Sequence, residues 1–179
     1  TRLRHRPRAR RAHLRTTPCQ VPHAHHWAKH ALAKSGKIFG LVNNAGIYPR
    51  VSIDEVTPDV WRQVLAVNLL GTVFCSQVFG REMAKEGRGA IVNMASGRGL
   101  QGTPRGAHYA ASKAGIISFT KSFALEYAQA GLRCNCVVPG VTETAQPLQD
   151  ATLEELHARG KAKIPLGRIG QPEDIARVV

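Results

Sequence analysis

Apolar residues from residue 27 onward alternate between short continuous runs and long stretches with helical spacing. The run "IFGLVNNAG", residues 38–46, predicts a buried strand that breaks into an asparagine–glycine loop. Thr57 and Pro58 then form a helix start, an N-cap followed by a proline in the first turn. Val60, Val64 and Val67 recur at helical spacing, which carries one long helix to about Lys85, with Gly87 and Gly89 ending it. A second apolar strand follows in "AIVNMAS", residues 90–96. A second long helix spans "HYAASKAGIISFTKSFALEYAQA", residues 108–130, closed by Gly131, and a third strand is "CNCVVPG", residues 134–140. Shorter helices are expected in "WAKHALAKSG", over about 151–162, and from "QPEDIARVV". Strand, helix, strand, helix, strand at this spacing predicts an α/β fold, a parallel sheet joined by helical crossovers. Ligands of such sheets bind beyond the carboxyl ends of the strands, where "NNAG", "MAS" and "PGVTET" fall.

Charge divides the chain in two. The formal net charge is +13, yet residues 1–50 hold 11 of the 25 Lys and Arg and no acid, Asp54 being the first. Residues 1–26 show neither helical nor strand period and are interrupted by Pro7, Pro18 and Pro22. They are expected to be a disordered or non-native segment, with residues 27–179 forming the folded domain. An arginine-rich arm for nucleic acid and a presequence are the competing readings. No aromatic residue precedes Trp27 to stack on bases, and the prolines spoil an amphipathic helix. No nucleic-acid or membrane partner is therefore expected, and the apolar runs fall short of the roughly 18–20 residues of a span. Four cysteines without a C-x-x-C pair argue against zinc and suit reduced thiols in a cytoplasmic protein.

The candidate chemistry lies in "AHYAASKAG", where Tyr109 and Lys113 stand four apart and hence on one face of a helix. A free tyrosine ionises near pH 10, too high for a base at neutrality. A close ammonium favours the phenolate, so the pair suits proton exchange with an alcohol or carbonyl, while the bland alternative is a solvated surface pair. Ser96 follows the second strand, 13 residues before Tyr109, where its hydroxyl could hold a substrate oxygen or merely satisfy backbone groups. Asn68, inside the first long helix, is either a solvated residue or a buried amide holding a water.

Taken together, "LVNNAGI", "NLLGTVF", "GAIVNMAS", "YAASKAG" and "RCNCVVPGVTET" occur in an order and spacing that resembles the short-chain dehydrogenase/reductase superfamily, over about residues 27–179. The motifs are most similar to those of 3-oxoacyl-(acyl-carrier-protein) reductases and of sugar or secondary-alcohol dehydrogenases. The resemblance implies a Rossmann-like fold, NAD or NADP as cofactor, a small alcohol or ketone substrate, and a homo-oligomer, dimer or tetramer. It implies Tyr109 as acid/base and Lys113 as the residue that eases the tyrosine's ionisation and bonds the nicotinamide ribose. Ser96 would orient the substrate oxygen, and Asn68 would hold a relay water. Asn43, Ala45 and Gly46 match the loop that supports the sheet on the adenine side, and Pro139, Gly140 and Thr144 the segment around the nicotinamide. The family's glycine-rich T-G-x-x-x-G-x-G turn does not occur in these 179 residues, the first glycine being Gly36. An incomplete sheet is expected, lacking its first strands, with "IFGLVNN" as an exposed edge. By themselves the 179 residues are expected to fold weakly, bind cofactor weakly and turn over little. The alternative reading is a truncated, inactive homologue that at most associates with other subunits.

Overall fold

The computed structural model describes residues 21–149 and 151–179. The basic segment read as disordered or non-native lies outside them up to residue 20. Its last six residues belong to the first helix, α1 (Val21–Ser35), which starts well before Trp27. The reason is packing: Ala24 and Ala28 are buried in the core beside Val78 and Met83.

Three parallel strands, β1 (Gly40–Asn43), β2 (Gly89–Met94) and β3 (Leu132–Val137), form one sheet in the order β1-β2-β3. Leu41, Ile91 and Cys134 lie in register across it and face a core that includes Val78, Met83 and Phe123. The core-facing register ends in a polar bridge. Asn43 Nδ2 donates to Asn93 Oδ1 at 2.8 Å, and Asn93 Nδ2 donates to Thr120 Oγ1 at 2.9 Å. Fully buried amides need such partners. As expected, β1 is an edge among the described strands, with Phe39 51% and Val42 49% exposed.

The crossovers are α2 (Pro58–Val64), α3 (Gly71–Lys85), α4 (Arg98–Gln101) and α5 (Ala107–Tyr127). Thr57 caps α2 as its sequence predicted, its side chain accepting from Val60 N. The single helix expected from Thr57 to Lys85 is instead broken by a π-helical segment, Leu65–Leu70. Thr72 Oγ1 donates to the Asn68 carbonyl at 2.8 Å just where the wider turn frees carbonyls from the usual ladder. The whole stretch Pro58–Lys85 is long and apolar enough to cross a membrane by length and composition, but half of its most apolar window is buried in this fold. Beyond β3, α6 (Leu153–Lys163) and α7 (Pro172–Ala176) pack around Leu156 and Ile169, and Thr142 bridges Gly170.

The turn from α5 into β3 requires glycine. Gly131 has φ +74, and a Cβ there would lie 2.1 Å from the Gly87 carbonyl oxygen. Gly131→Ala is therefore expected to destabilise the protein by about 2–4 kcal/mol, read as a fall in denaturation midpoint at unchanged slope.

Candidate active site

The site grows from the carboxyl ends of β2 and β3. Parallel pairing continues beyond both strands, since Ala95 N donates to Val137 O at 2.9 Å and Gly97 N to Pro139 O at 3.1 Å. Ser96, half-buried, is thus carried beside the Pro139–Gly140 turn. Its Oγ accepts from Arg98 N at 3.2 Å, which leaves the hydroxyl proton for another acceptor. The short helix α4 then lies directly on α5. A Cβ on Gly99 would stand 2.8 Å from Ala114 N, so only glycine allows the approach.

From α5, Tyr109 (6% exposed) and Lys113 (4% exposed) are both buried on its inner face. Lys113 Nζ donates to the Met94 carbonyl at 2.8 Å, two residues before Ser96. This bond ties the helix carrying the phenol to the strand end carrying the hydroxyl. The ammonium lies 5.7 Å from the Tyr109 ring centroid. Burial pushes its pKa down to about 8, with the neighbouring Cys136 pulling weakly the other way. Burial likewise raises the Cys134 thiol to about 11, as suits an inert core cysteine.

Asn68, fully buried, pins the loop after β1. Its Oδ1 accepts from Ile47 N at 2.8 Å, while Nδ2 donates to Ile47 O and to Ser112 Oγ, each at 3.0 Å. Both amide N–H groups are thus taken by protein, which leaves only the second lone pair of Oδ1 for the expected water. The pinned loop brings Gly46 to the site. A Cβ there would sit 3.4 Å from both Asn68 Oδ1 and Lys113 Nζ.

The other expected residues divide. Asn43 turns under the sheet, donating to Ser76 Oγ as well as Asn93. Ala45 is exposed in the loop between Asn43 and Gly46. Pro139 and Gly140 adjoin Ser96 through the Gly97 bond, whereas Thr144 is exposed and bonds only locally, to Thr142 O at 3.5 Å. Sequence reasoning missed Tyr48, whose ring stacks on that of Tyr109 at 4.0 Å between centroids and 10° between planes. It also missed Gly106 and His108, which hold that stack. Nothing in the spacing flags them, because Gly106 and His108 act by contacting Tyr48 and Pro49 in the distant loop after β1. Among the described residues, no group of three or more His, Cys, Asp or Glu could hold a metal.

The residues present fit the nicotinamide end of a dinucleotide. Lys113 donates one of its three N–H bonds to a described acceptor, beside a glycine with no side chain to fill the space. The pyrophosphate-binding turn is not among the 179 residues.

Known proteins resemble this chain in sequence and fold. The family profile described as Enoyl-(Acyl carrier protein) reductase matches residues 9–179. The inactive 2-(S)-hydroxypropyl-CoM dehydrogenase 2 of Xanthobacter autotrophicus is 44% identical over 146 residues, 79% of this chain and 63% of the relative. The 3-oxoacyl-(acyl-carrier-protein) reductase FabG of Thermotoga maritima is 40% identical over 146 residues, 82% of this chain and 58% of the relative. A crystal structure assigned to the short-chain alcohol dehydrogenases, from Sinorhizobium meliloti 1021, superposes with TM-score 0.83 at 34% identity. It covers 88% of this chain and 63% of the other. The chain spans about three-fifths of the length of these relatives. With the family profile covering nearly the whole sequence, and a parallel sheet whose strand ends and α5 carry the serine, tyrosine and lysine, the chain belongs to the short-chain dehydrogenase/reductase family.

Proposed function

We propose that this protein is an NAD(P)-dependent oxidoreductase that interconverts a small secondary alcohol and the corresponding ketone. The observation that carries the reading is the buried Lys113 ammonium. It is fixed to the strand end beside Ser96 and stands one helical turn from the Tyr109 phenol. A bound nicotinamide supplies or accepts the hydride. Lys113 and the bare Gly46 would hold its ribose end, and Pro139, Gly140 and Thr144 would hold the ring's carboxamide side.

Tyr109 hands its proton to the oxygen of a ketone, or takes one from an alcohol, as charge develops there. Lys113, buried and 5.7 Å from the phenol ring centroid, stabilises the phenolate that results. Ser96 donates a hydrogen bond from its hydroxyl to the same substrate oxygen and fixes it, keeping its own proton. Asn68 keeps the β1–α2 loop, and with it Gly46, in place. Exposed apolar residues on the helices, Leu70 and Leu125, support a subunit contact like that of a dimer or tetramer.

The test is absorbance at 340 nm with NADH or NADPH and a panel of small ketones and 3-oxoacyl thioesters. Turnover that Ser96→Ala lowers about 10²-fold supports the reading. A chain that takes up neither nucleotide and turns over no ketone, yet assembles with full-length relatives, would instead be an inactive homologue. The name of the 44% identical relative motivates keeping that outcome in view.

A further inference from the structure

We infer that Tyr48 is a positioning residue for Tyr109, held against it by His108 and admitted to its place by the missing side chain of Gly106. The inference rests on the reading of Tyr109 as the acid/base and adds to it the part that sets the phenol's orientation.

The geometry is a stack with three supports. Tyr48 and Tyr109 are both buried, and their rings lie 4.0 Å apart and 10° from parallel. A ring held this way can slide in its plane but cannot tilt without losing contact. Tyr48 is in turn held at its hydroxyl, which donates to Thr103 Oγ1 at 3.4 Å. The guanidinium carbon of Arg50 lies 4.7 Å from its ring centroid. Below it, Gly106 is the N-cap of α5, and a Cβ there would lie 2.4 Å from the Tyr48 hydroxyl oxygen and 2.6 Å from its ring edge. That φ of −165 suits any residue, so space rather than backbone strain demands the glycine.

The third support comes from the residue before Tyr109. His108 is fully buried, and its Nε2 donates to the Pro49 carbonyl at 2.8 Å, which fixes the tautomer by the acceptor's nature. Its ring also meets Trp61 edge-on, with centroids 6.0 Å apart. One helical turn thus carries two adjacent contacts to one loop: His108 ties down Pro49, and Tyr109 receives Tyr48. The loop cannot move away from the phenol without breaking a buried hydrogen bond. Since a displacement of about 1 Å at a reacting group can cost a factor on the order of 10², the stack has a catalytic consequence through the phenol it holds.

The experiment compares Tyr48→Ala, Tyr48→Leu, Tyr48→Phe and Gly106→Ala in the full chain. Turnover is measured alongside nitration of Tyr109 by tetranitromethane, located by peptide mass spectrometry. Tyr48→Ala is expected to lower kcat about 10- to 100-fold with KM little changed, because it disturbs the acid/base and not substrate binding. Gly106→Ala is expected to match it, and the two together to be no worse than either alone. Tyr48→Phe keeps the ring and restores most of the loss. Nitration of Tyr109 is expected to rise severalfold in Tyr48→Ala. If that variant fails to fold, Tyr48→Leu supplies the same comparison with the apolar volume kept. A rise in KM at unchanged kcat would overturn the inference by making Tyr48 a substrate wall, and so would unchanged turnover and nitration. If the parent chain turns over nothing, the proposed oxidoreductase function fails for this chain. The nitration comparison then decides on its own whether Tyr48 covers the Tyr109 ring.

Discussion

Tyr109→Phe will abolish measurable turnover while moving the thermal midpoint by no more than a degree or two. The two halves of that expectation come from different features. The phenol hydroxyl makes no hydrogen bond to a described residue, so its removal leaves no buried partner unsatisfied, and the ring keeps its stack on Tyr48. Turnover, by contrast, loses the group to which the proposed function assigns proton exchange with the substrate oxygen. General acid–base catalysis contributes about 10²–10⁴-fold. Lys113 is tied to the strand end by its bond to Met94 O at 2.8 Å and is assigned to the phenolate and the ribose rather than to the substrate oxygen. Steady-state kinetics with a purified Phe variant, alongside a melt of the same sample, reads both halves. Activity within tenfold of the parent would reject Tyr109 as the acid/base.

Lys113→Met tests the same site from the side of stability, and its sign depends on pH. The buried ammonium titrates near 8, against an ordinary value of 10.5. Below pH 8 the native and unfolded chains both carry the charge, and the native state bears the desolvation cost in full. Between about 8 and 10.5 the native lysine is neutral while the unfolded one stays protonated. The unfolded state then binds more protons, and stability rises with pH. Methionine has no such dependence. The stability of the parent relative to the variant should therefore swing by about 2–3 kcal/mol in the parent's favour from pH 7 to pH 10. At pH 7 the variant is expected to be the more stable by about 1 kcal/mol, after loss of the charged bond to Met94 O is set against relief of the buried charge. It will also be inactive, since the phenolate loses its counter-charge. Denaturant unfolding at pH 7, 8.5 and 10 measures the swing, and parallel lines would remove the case for a strained ammonium. The parent's own activity should decline above pH 8 as the ammonium deprotonates.

Particular elements show which parts of the fold could be read in advance. The Thr57–Pro58 start, the glycine at 131 and the three apolar runs each rest on a local cause, a cap, a left-handed residue or a strand period, and each stands where its residues predict. The π-helical break at Leu65–Leu70 does not, because it lies among contacts that a helical period does not record, Thr72 Oγ1 to Asn68 O and the Asn68 amide to Ile47. Helix α1 began earlier than its composition suggested, since the burial of Ala24 depends on Val78 and Met83, more than 50 residues away. Asn68 was legible as a special residue, but its partners Ile47 and Ser112 were not.

The sequence by itself determined the alternation of strand and helix, the parallel crossovers and the tyrosine and lysine one turn apart, because each follows from period and spacing along one chain, and the family, because its motifs resemble the family's. Only the tertiary structure decided what surrounds the phenol. The ring of Tyr48, the anchor from His108 to Pro49 and the space left by Gly106 are contacts between segments about 60 residues apart, and a linear pattern carries no record of which distant side chains close packing will press together.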